Sequence, residues 1–144
     1  MSAALHIVCP HCAQVNRMPQ ARLGEGAKCG ACRQLLFTGQ PVAATAAQFD
    51  AHIQRNEIPV VADFWAAWCG PCRGMAPVFA HAAKVTEPRA RFLKVDTEAE
   101  QSLASRYNIR SIPTLVIFKH GQELNRVAGA LDAGNFERWL AQYI

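Results

Sequence analysis

Apolar residues between Pro59 and the end of the chain alternate between strand-like runs and helix-like spacing. The predicted strands are Pro59–Trp65, Ala90–Asp96, Thr114–Lys119 and, after the turn His120-Gly121, Glu123–Ala128. Apolar residues at helical spacing follow the first strand, from Pro71 to about Val85. Strands that alternate with helices and close in a hairpin predict an α/β fold, with a central mixed sheet flanked by helices.

Polar residues mark where the helices are expected to begin. Two pairs have the spacing of a capping box, in which two side chains satisfy free N–H groups of a first helical turn: Thr45 with Gln48, and Thr97 with Glu100. Asp132 is expected to cap a last helix, whose aromatic residues Phe136 and Trp139 have core spacing. Pro77 lies inside the helix predicted from Pro71 and predicts a kink there.

Length and composition allow one ordinary domain with a small appendage. The chain has 144 residues, of which 51% are hydrophobic, so a real core can form. No apolar run reaches the 18 residues or so that a membrane span requires. The start, Met1–Cys9, has no basic segment before its apolar residues, which indicates that no secretory signal is present and favours a cytoplasmic location.

Four of the six cysteines form two Cys-x-x-Cys pairs near the start, Cys9/Cys12 and Cys29/Cys32, with 16 residues between the pairs. This is zinc-ribbon spacing, in which four thiolates bind one structural ion tetrahedrally. Structural disulfides would require an exported protein, and neither pair follows a buried strand as a reactive pair would. So short a segment buries too little apolar surface to fold alone, so metal binding is expected to stabilise it.

Positive charge is concentrated in the same segment. Residues 1–40 carry +3 of the net charge of +4. A basic segment can bind nucleic acid, but Phe37 is its single aromatic residue for base stacking, so nucleic acid is not the expected partner. The favoured explanation is that cations offset the charge of −2 on zinc with four thiolates.

The remaining cysteines, Cys69 and Cys72, flank Gly70-Pro71 where the first predicted strand gives way to a helix. Unpaired N–H groups and the dipole at a helix N-terminus favour a thiolate at Cys69. A thiolate with a second thiol one helical turn away can carry out disulfide exchange. The pattern therefore predicts Cys69 as the nucleophile and the more exposed sulfur, with Cys72 completing the exchange.

Asp63 interrupts the apolar strand that leads to this pair. A buried carboxylate is costly unless it has a partner or a chemical task. The residues alone leave two interpretations open: a general base for Cys72, or a hydrogen-bonded core residue.

From about Pro41 to Ile144 the chain resembles the thioredoxin family of disulfide reductases. The resemblance rests on segments in the family's order: Trp65–Arg73 with Asp63 before it, Lys94 within Phe92–Asp96, Ile112-Pro113-Thr114, Lys119-His120-Gly121 and Val127–Ala130. The two N-terminal pairs are similar to the zinc-binding extension of the bacterial thioredoxin-2 subgroup. The resemblance implies a thioredoxin fold at residues 39–144 after a zinc-ribbon-like extension at residues 1–38.

The resemblance also implies an activity and its partners. The protein would reduce disulfide-containing protein substrates and be regenerated by an NADPH-dependent thioredoxin reductase. The chain itself has no glycine-rich phosphate loop, so no bound nucleotide is expected. A monomer is expected.

Roles for individual residues follow from the same resemblance. Asp63 is the expected base for Cys72, with Lys94 as its partner, and the Ile112–Pro113 bond is expected to be cis and to face the cysteines. The expected substrate-docking surface comprises eight residues: Trp68, Gly70, Pro71, Ile112, Pro113, Ala128, Gly129 and Ala130.

Two other functions are considered. The first is a redox-responsive zinc-ribbon interaction or sensor module whose thioredoxin-like domain only binds peptides. The second is an extracytoplasmic oxidase or isomerase, which the Gly70-Pro71 dipeptide and the start of the chain disfavour.

Overall fold

The computed structural model describes residues 3–144 and contains two sheets. The small sheet is an antiparallel hairpin of β1 (Ala4–Val8) and β2 (Val15–Pro19). The five-stranded sheet has the order β3-β5-β4-β6-β7, formed by β3 (Val42–Ala43), β4 (Val60–Trp65), β5 (Arg91–Asp96), β6 (Thr114–Lys119) and β7 (Gln122–Ala128). Strands β3, β4 and β5 are parallel, whereas β6 and β7 are antiparallel, so the predicted mixed sheet is confirmed.

Four helices cover the two faces of the large sheet: α1 (Ala46–Arg55), α2 (Gly70–Thr86), α3 (Gln101–Arg106) and α4 (Ala133–Ala141). One core lies between the sheet and α2 with α4, and the other between the sheet and α1 with α3. Side chains alternate along β4, so Val61 packs in the first core and Phe64 in the second. The same alternation places Asp63 on the face covered by α2.

The predicted helix starts are correct in two places and wrong in one. Thr45 and Gln48 form the expected capping box, and Asp132 accepts a hydrogen bond from the N–H of Asn135 at 2.8 Å. The box of Thr97 with Glu100 is absent, because both side chains contact other elements. The hydroxyl of Thr97 donates to the carbonyl of Trp65 at 3.1 Å, and the Glu100 carboxylate accepts from the first N–H of α1 at 2.6 Å.

The N-terminal extension, called the ribbon below, consists of the β1–β2 hairpin and the segment up to Phe37, and it packs against the start of β4 and β5. The N–H of Glu57 donates to the carbonyl of His6 at 2.9 Å, and Ile58 completes the apolar core of the ribbon. Because β4 and β5 are parallel, the carboxyl ends of both strands lie at the other end of the sheet, where Cys69 follows β4. A strand of this length spans about 20 Å, so the ribbon and Cys69 lie at opposite ends of the sheet.

Helix α2 continues through Pro77 to Thr86, as its apolar spacing predicts. Within residues 3–144, no helix is both long enough and apolar enough to cross a membrane.

Candidate active site and candidate metal site

Cys69 is the N-cap residue of α2 and is disulfide-bonded to Cys72, with 5.2 Å between their Cα atoms. The backbone N–H of Cys72 donates to the sulfur of Cys69 at 3.2 Å. Such a donor stabilises negative charge on that sulfur when the pair is reduced. The helix N-terminus therefore lies where the sequence predicts it.

Both cysteines are buried, and the predicted difference in their exposure has the expected sign but is small. Cys69 is 4% exposed and Cys72 is 2% exposed in this disulfide form. The carbonyl oxygen of Ile112 lies 3.7 Å from Sγ of Cys69.

The Ile112 loop is held in place from both sides. Its peptide bond to Pro113 is cis, as the resemblance implies. The Thr114 hydroxyl donates to the carbonyl of Ser111 at 2.6 Å, and the N–H of Gly129 donates to the carbonyl of Pro113 at 2.8 Å. Gly129 has a φ of 104°, which a residue with a side chain rarely adopts.

Seven of the eight residues predicted to dock substrate are at least partly exposed around the disulfide, whereas Pro113 is buried. Trp68 is 67% exposed beside it, and its indole N–H donates to the Glu98 carboxylate at 2.8 Å. Ala128 pairs with Thr114 across the β6–β7 ladder, which brings the segment from Ala128 to Ala130 next to the Ile112 loop. Gly70 and Pro71 are exposed at the start of α2.

Asp63 is fully buried, and neither carboxylate oxygen has a hydrogen-bond partner among the described residues. Burial raises the pKa of Asp63 to about 6, and the charge of Lys94 opposes this rise. Lys94 is the register partner of Asp63 on β5. The expected contact between them is nevertheless not formed, because the ammonium group of Lys94 lies over the ring of Trp65, 4.3 Å from its centroid.

At the other end of the sheet, the sulfurs of Cys9, Cys12, Cys29 and Cys32 all lie within 4.8 Å of one another. The Cys9–Cys32 and Cys12–Cys29 sulfur pairs are each separated by 3.6 Å. A tetrahedral zinc ion with bonds of about 2.3 Å places its sulfurs about 3.8 Å apart, so this set fits zinc. His6 and His11 are exposed and are not part of the cluster.

The two knuckles have equivalent backbones. Cys9 N–H donates to the carbonyl of Gln14 at 2.9 Å, and Cys29 N–H donates to that of Gln34 at 2.8 Å. Four residues after these cysteines, Ala13 and Arg33 have φ values of 64° and 68°. The same turn thus occurs in both Cys-x-x-Cys segments and places the two sulfurs of each pair on the same side of the backbone.

The sulfurs of the cluster have unequal environments. Hydrogen bonds from the N–H of Cys32 and from Asn16 lower the pKa of Cys29 to about 6. Burial raises the pKa of Cys9 to about 12, so a metal that binds there displaces a proton.

Two family models match the chain. Residues 40–142 match the model described as Thioredoxin, and residues 8–34 match a zinc-ribbon model described as Thioredoxin 2, N-terminal. The chain belongs to the thioredoxin family. Its activity is therefore protein-disulfide reduction, a thiol–disulfide oxidoreductase reaction, and the predicted fold is confirmed.

Individual thioredoxins support this placement. Thioredoxin C-3 from Corynebacterium nephridii is 41% identical over 138 residues, covering 96% of this chain and 94% of that protein. Thioredoxin 1 from Synechococcus elongatus is 48% identical over 89 residues, covering 62% of this chain and 83% of that protein. A solved mutant thioredoxin from Halobacterium salinarum has a TM-score of 0.67 and 32% identity, covering 74% of this chain and 93% of that one.

Sequence reasoning missed two residues of this thioredoxin, Asn56 and Arg91, which join the ribbon to the large sheet. Arg91 is 1% exposed, and burial lowers its pKa to about 10, so it stays charged at neutral pH. A charged residue inside an apolar strand is the signal that distinguishes Asp63, and Arg91 carries the same signal. Asn56 follows α1 and carries no comparable signal.

Proposed function

We propose that this thioredoxin reduces protein disulfides through Cys69 and Cys72 and is regenerated by an NADPH-dependent thioredoxin reductase. The observation that carries the proposal is the disulfide at the N-cap of α2, with the Ile112 carbonyl 3.7 Å from the Cys69 sulfur. This geometry joins a redox pair to a main chain that an extended peptide can contact.

The exchange has two balanced steps. The Cys69 thiolate attacks one sulfur of the substrate disulfide; a Cys69–substrate bond forms, the substrate S–S bond breaks, and the released thiolate takes a proton. Cys72 then loses its proton and attacks the Cys69 sulfur; the Cys69–Cys72 bond forms and the second substrate thiolate leaves. Two electrons pass to the substrate, and the protein ends in the disulfide form.

Asp63 is the proposed acceptor of the Cys72 proton. It lies on the face of β4 that α2 covers, and its oxygens have no other hydrogen-bond partner in the described part of the chain. A pKa of about 6 leaves the carboxylate mostly ionised at neutral pH yet more basic than an exposed one. The charge of Lys94 would adjust that basicity from its position over Trp65.

Substrate binding is proposed at the surface around the disulfide. Its exposed indole at Trp68 and its small residues at positions 128–130 allow a substrate chain to approach closely. The free main chain of Ile112 would pair with an extended substrate segment.

Cys9, Cys12, Cys29 and Cys32 are proposed to hold one structural zinc ion. When bound, the ion would cross-link two knuckles whose apolar core is too small to be stable alone. The proposal also includes a boundary after residue 38, a monomeric state and a cytoplasmic location.

A coupled assay tests the proposed reaction. With thioredoxin reductase and NADPH, the native protein should reduce insulin and consume NADPH, and Cys69→Ser should abolish both. Retained activity in Cys69→Ser would refute the assignment of the nucleophile. The alternative is a peptide-binding module. It predicts that the double variant Cys69→Ser/Cys72→Ser binds its peptide partners as the native protein does.

A further inference from the structure

The peptide groups of Val8, the residue before the metal ligand Cys9, are held by side chains from the thioredoxin domain. The N–H of Val8 donates to Oδ1 of Asn56 at 2.7 Å. Its carbonyl accepts from Nη2 of Arg91 at 3.0 Å. Val8, Asn56 and Arg91 are all buried, so water cannot replace either bond.

Arg91 also reaches the second arm of the ribbon. The same Nη2 donates to the carbonyl of Leu36 at 2.8 Å, and the guanidinium carbon lies 4.4 Å from the centroid of the Phe37 ring. Leu36 lies four residues after the ligand Cys32. One planar guanidinium group thus joins the chain entering the first knuckle to the chain leaving the second.

The side-chain amide of Asn56 lies between the N–H of Val8 and the ring of His52. Burial, with a contribution from the charge of Arg91, lowers the pKa of His52 to about 3, so its ring is neutral at physiological pH. Its Nδ1 accepts from Nδ2 of Asn56 at 2.7 Å. The N–H of Val8 requires an acceptor, so the amide points its oxygen toward Val8 and its Nδ2 toward His52.

Arg91 is fixed in turn by Glu87. Nη1 of Arg91 lies 3.4 Å from the Glu87 carboxylate, which also accepts from the N–H of Gly39 at 2.8 Å. Zinc with four thiolates carries a charge of −2, and the buried Arg91 cation offsets part of it.

We propose that Asn56 and Arg91 are positioning residues for the metal site and that they slow the loss of zinc. A knuckle must open before a ligand leaves, and opening the first one strains the two bonds to Val8. This inference rests on the proposed zinc, and it goes further by placing determinants of metal retention outside the ribbon.

The test compares zinc release from full-length variants to an excess of a chromogenic chelator. Arg91→Met removes the bonds to both arms, and Asn56→Ala removes the bond to the Val8 N–H. Each should release zinc about tenfold faster than the native protein, the scale seen when outer partners of metal ligands are removed. Arg91→Lys keeps the charge and should give an intermediate rate.

Arg89→Met is the matched control. Arg89 is exposed two residues earlier, and its side chain donates to the carbonyl of Val85 at 3.4 Å. This variant should release zinc at the native rate. Insulin reduction should be native in all variants, because the disulfide lies at the other end of the sheet; unchanged activity with faster release excludes general unfolding.

The outcomes separate the two proposals. Native release rates in both Arg91→Met and Asn56→Ala would overturn the positioning role and leave the zinc site intact. A native protein that binds no zinc would overturn both. If Arg91→Met does not fold, Asn56→Ala decides the matter, because it removes hydrogen bonds without leaving a buried charge unpaired.

Discussion

Nζ of Lys94 lies 4.3 Å from the centroid of the Trp65 ring, although Lys94 faces Asp63 in the β4–β5 register. The ammonium group thus acts on Asp63 through space rather than through an ion pair. Its charge lowers the pKa of Asp63 against the effect of burial.

Replacing Lys94 by Gln should therefore raise the pKa of Asp63 above about 6. The change is measured by following the carboxyl carbon of Asp63 by NMR across a pH titration of the oxidised protein. Lys84→Gln, on the exposed side of α2, is the control. An unchanged or lower pKa in Lys94→Gln would show that the two residues do not interact.

Asp63 should make the stability of the oxidised protein depend on pH. The pKa of Asp63 is about 6 in the folded protein and 3.8 for the exposed carboxyl of the unfolded chain, so the folded state binds the proton more tightly. Its contribution to stability is full below pH 3.8 and is lost as the pH rises through about 6. The loss amounts to about 3 kcal/mol, since each pKa unit corresponds to about 1.4 kcal/mol.

Urea unfolding of the native protein and of Asp63→Asn, each at pH 4 and pH 8, measures this dependence. On going from pH 4 to pH 8, Asp63→Asn should gain about 2 kcal/mol of stability relative to the native protein, because at pH 4 part of the effect is already lost. Equal pH dependence in the two proteins would mean that the Asp63 carboxyl does not have a raised pKa.

Serine variants should separate the two cysteines. Cys72→Ser cannot complete the exchange, so it should accumulate a covalent complex with a disulfide substrate, whereas Cys69→Ser should form none. Non-reducing electrophoresis followed by mass spectrometry identifies the linked cysteine. A complex joined through Cys72 in the Cys69→Ser variant, formed as rapidly, would reverse the assigned order.

Trp68 should matter for protein substrates more than for small ones. Trp68→Ala removes an exposed indole and should raise KM for insulin several-fold, in line with the contribution of an exposed aromatic contact. Reduction of a small aromatic disulfide should change little. Glu98→Gln, which keeps an acceptor for the indole N–H, is the control and should behave as native.

Removing the metal should act locally. Because the cluster lies at the far end of the sheet from Cys69, chelation should leave the insulin reduction rate unchanged. Amide hydrogen exchange in β1 and β2 should become much faster, since the ribbon loses its cross-link. A loss of reductase activity that zinc restores would show that the two ends are coupled.

The sequence predicts best those features whose determinants are close together in the chain. The cap at Thr45 and the helix beginning at Cys69 depend on neighbours within one turn, and both agree with the structure. Glu100 has the same local pattern as Gln48, but its carboxylate lies close enough to α1 to accept from Ala46. A contact between residues 54 positions apart leaves no periodic signal.

The same reasoning explains the candidate sites. Each cysteine pair is recognisable from its spacing and flanking residues. The contact of Arg91 with Val8 joins residues 83 positions apart. It depends on how the ribbon packs against the large sheet, which no local sequence pattern predicts. The position of the Lys94 ammonium group is a rotamer choice between two nearby partners, Asp63 and Trp65, and the strand pattern does not distinguish them.

The placement of the ribbon at the start of β4 and β5 affects how many proteins this chain can contact at once. A substrate seated over Trp68 and Ile112 leaves the knuckles uncovered. The proposed substrate surface and the cysteine cluster are therefore two separate surfaces of the molecule, and neither has to be vacated for the other to be reached.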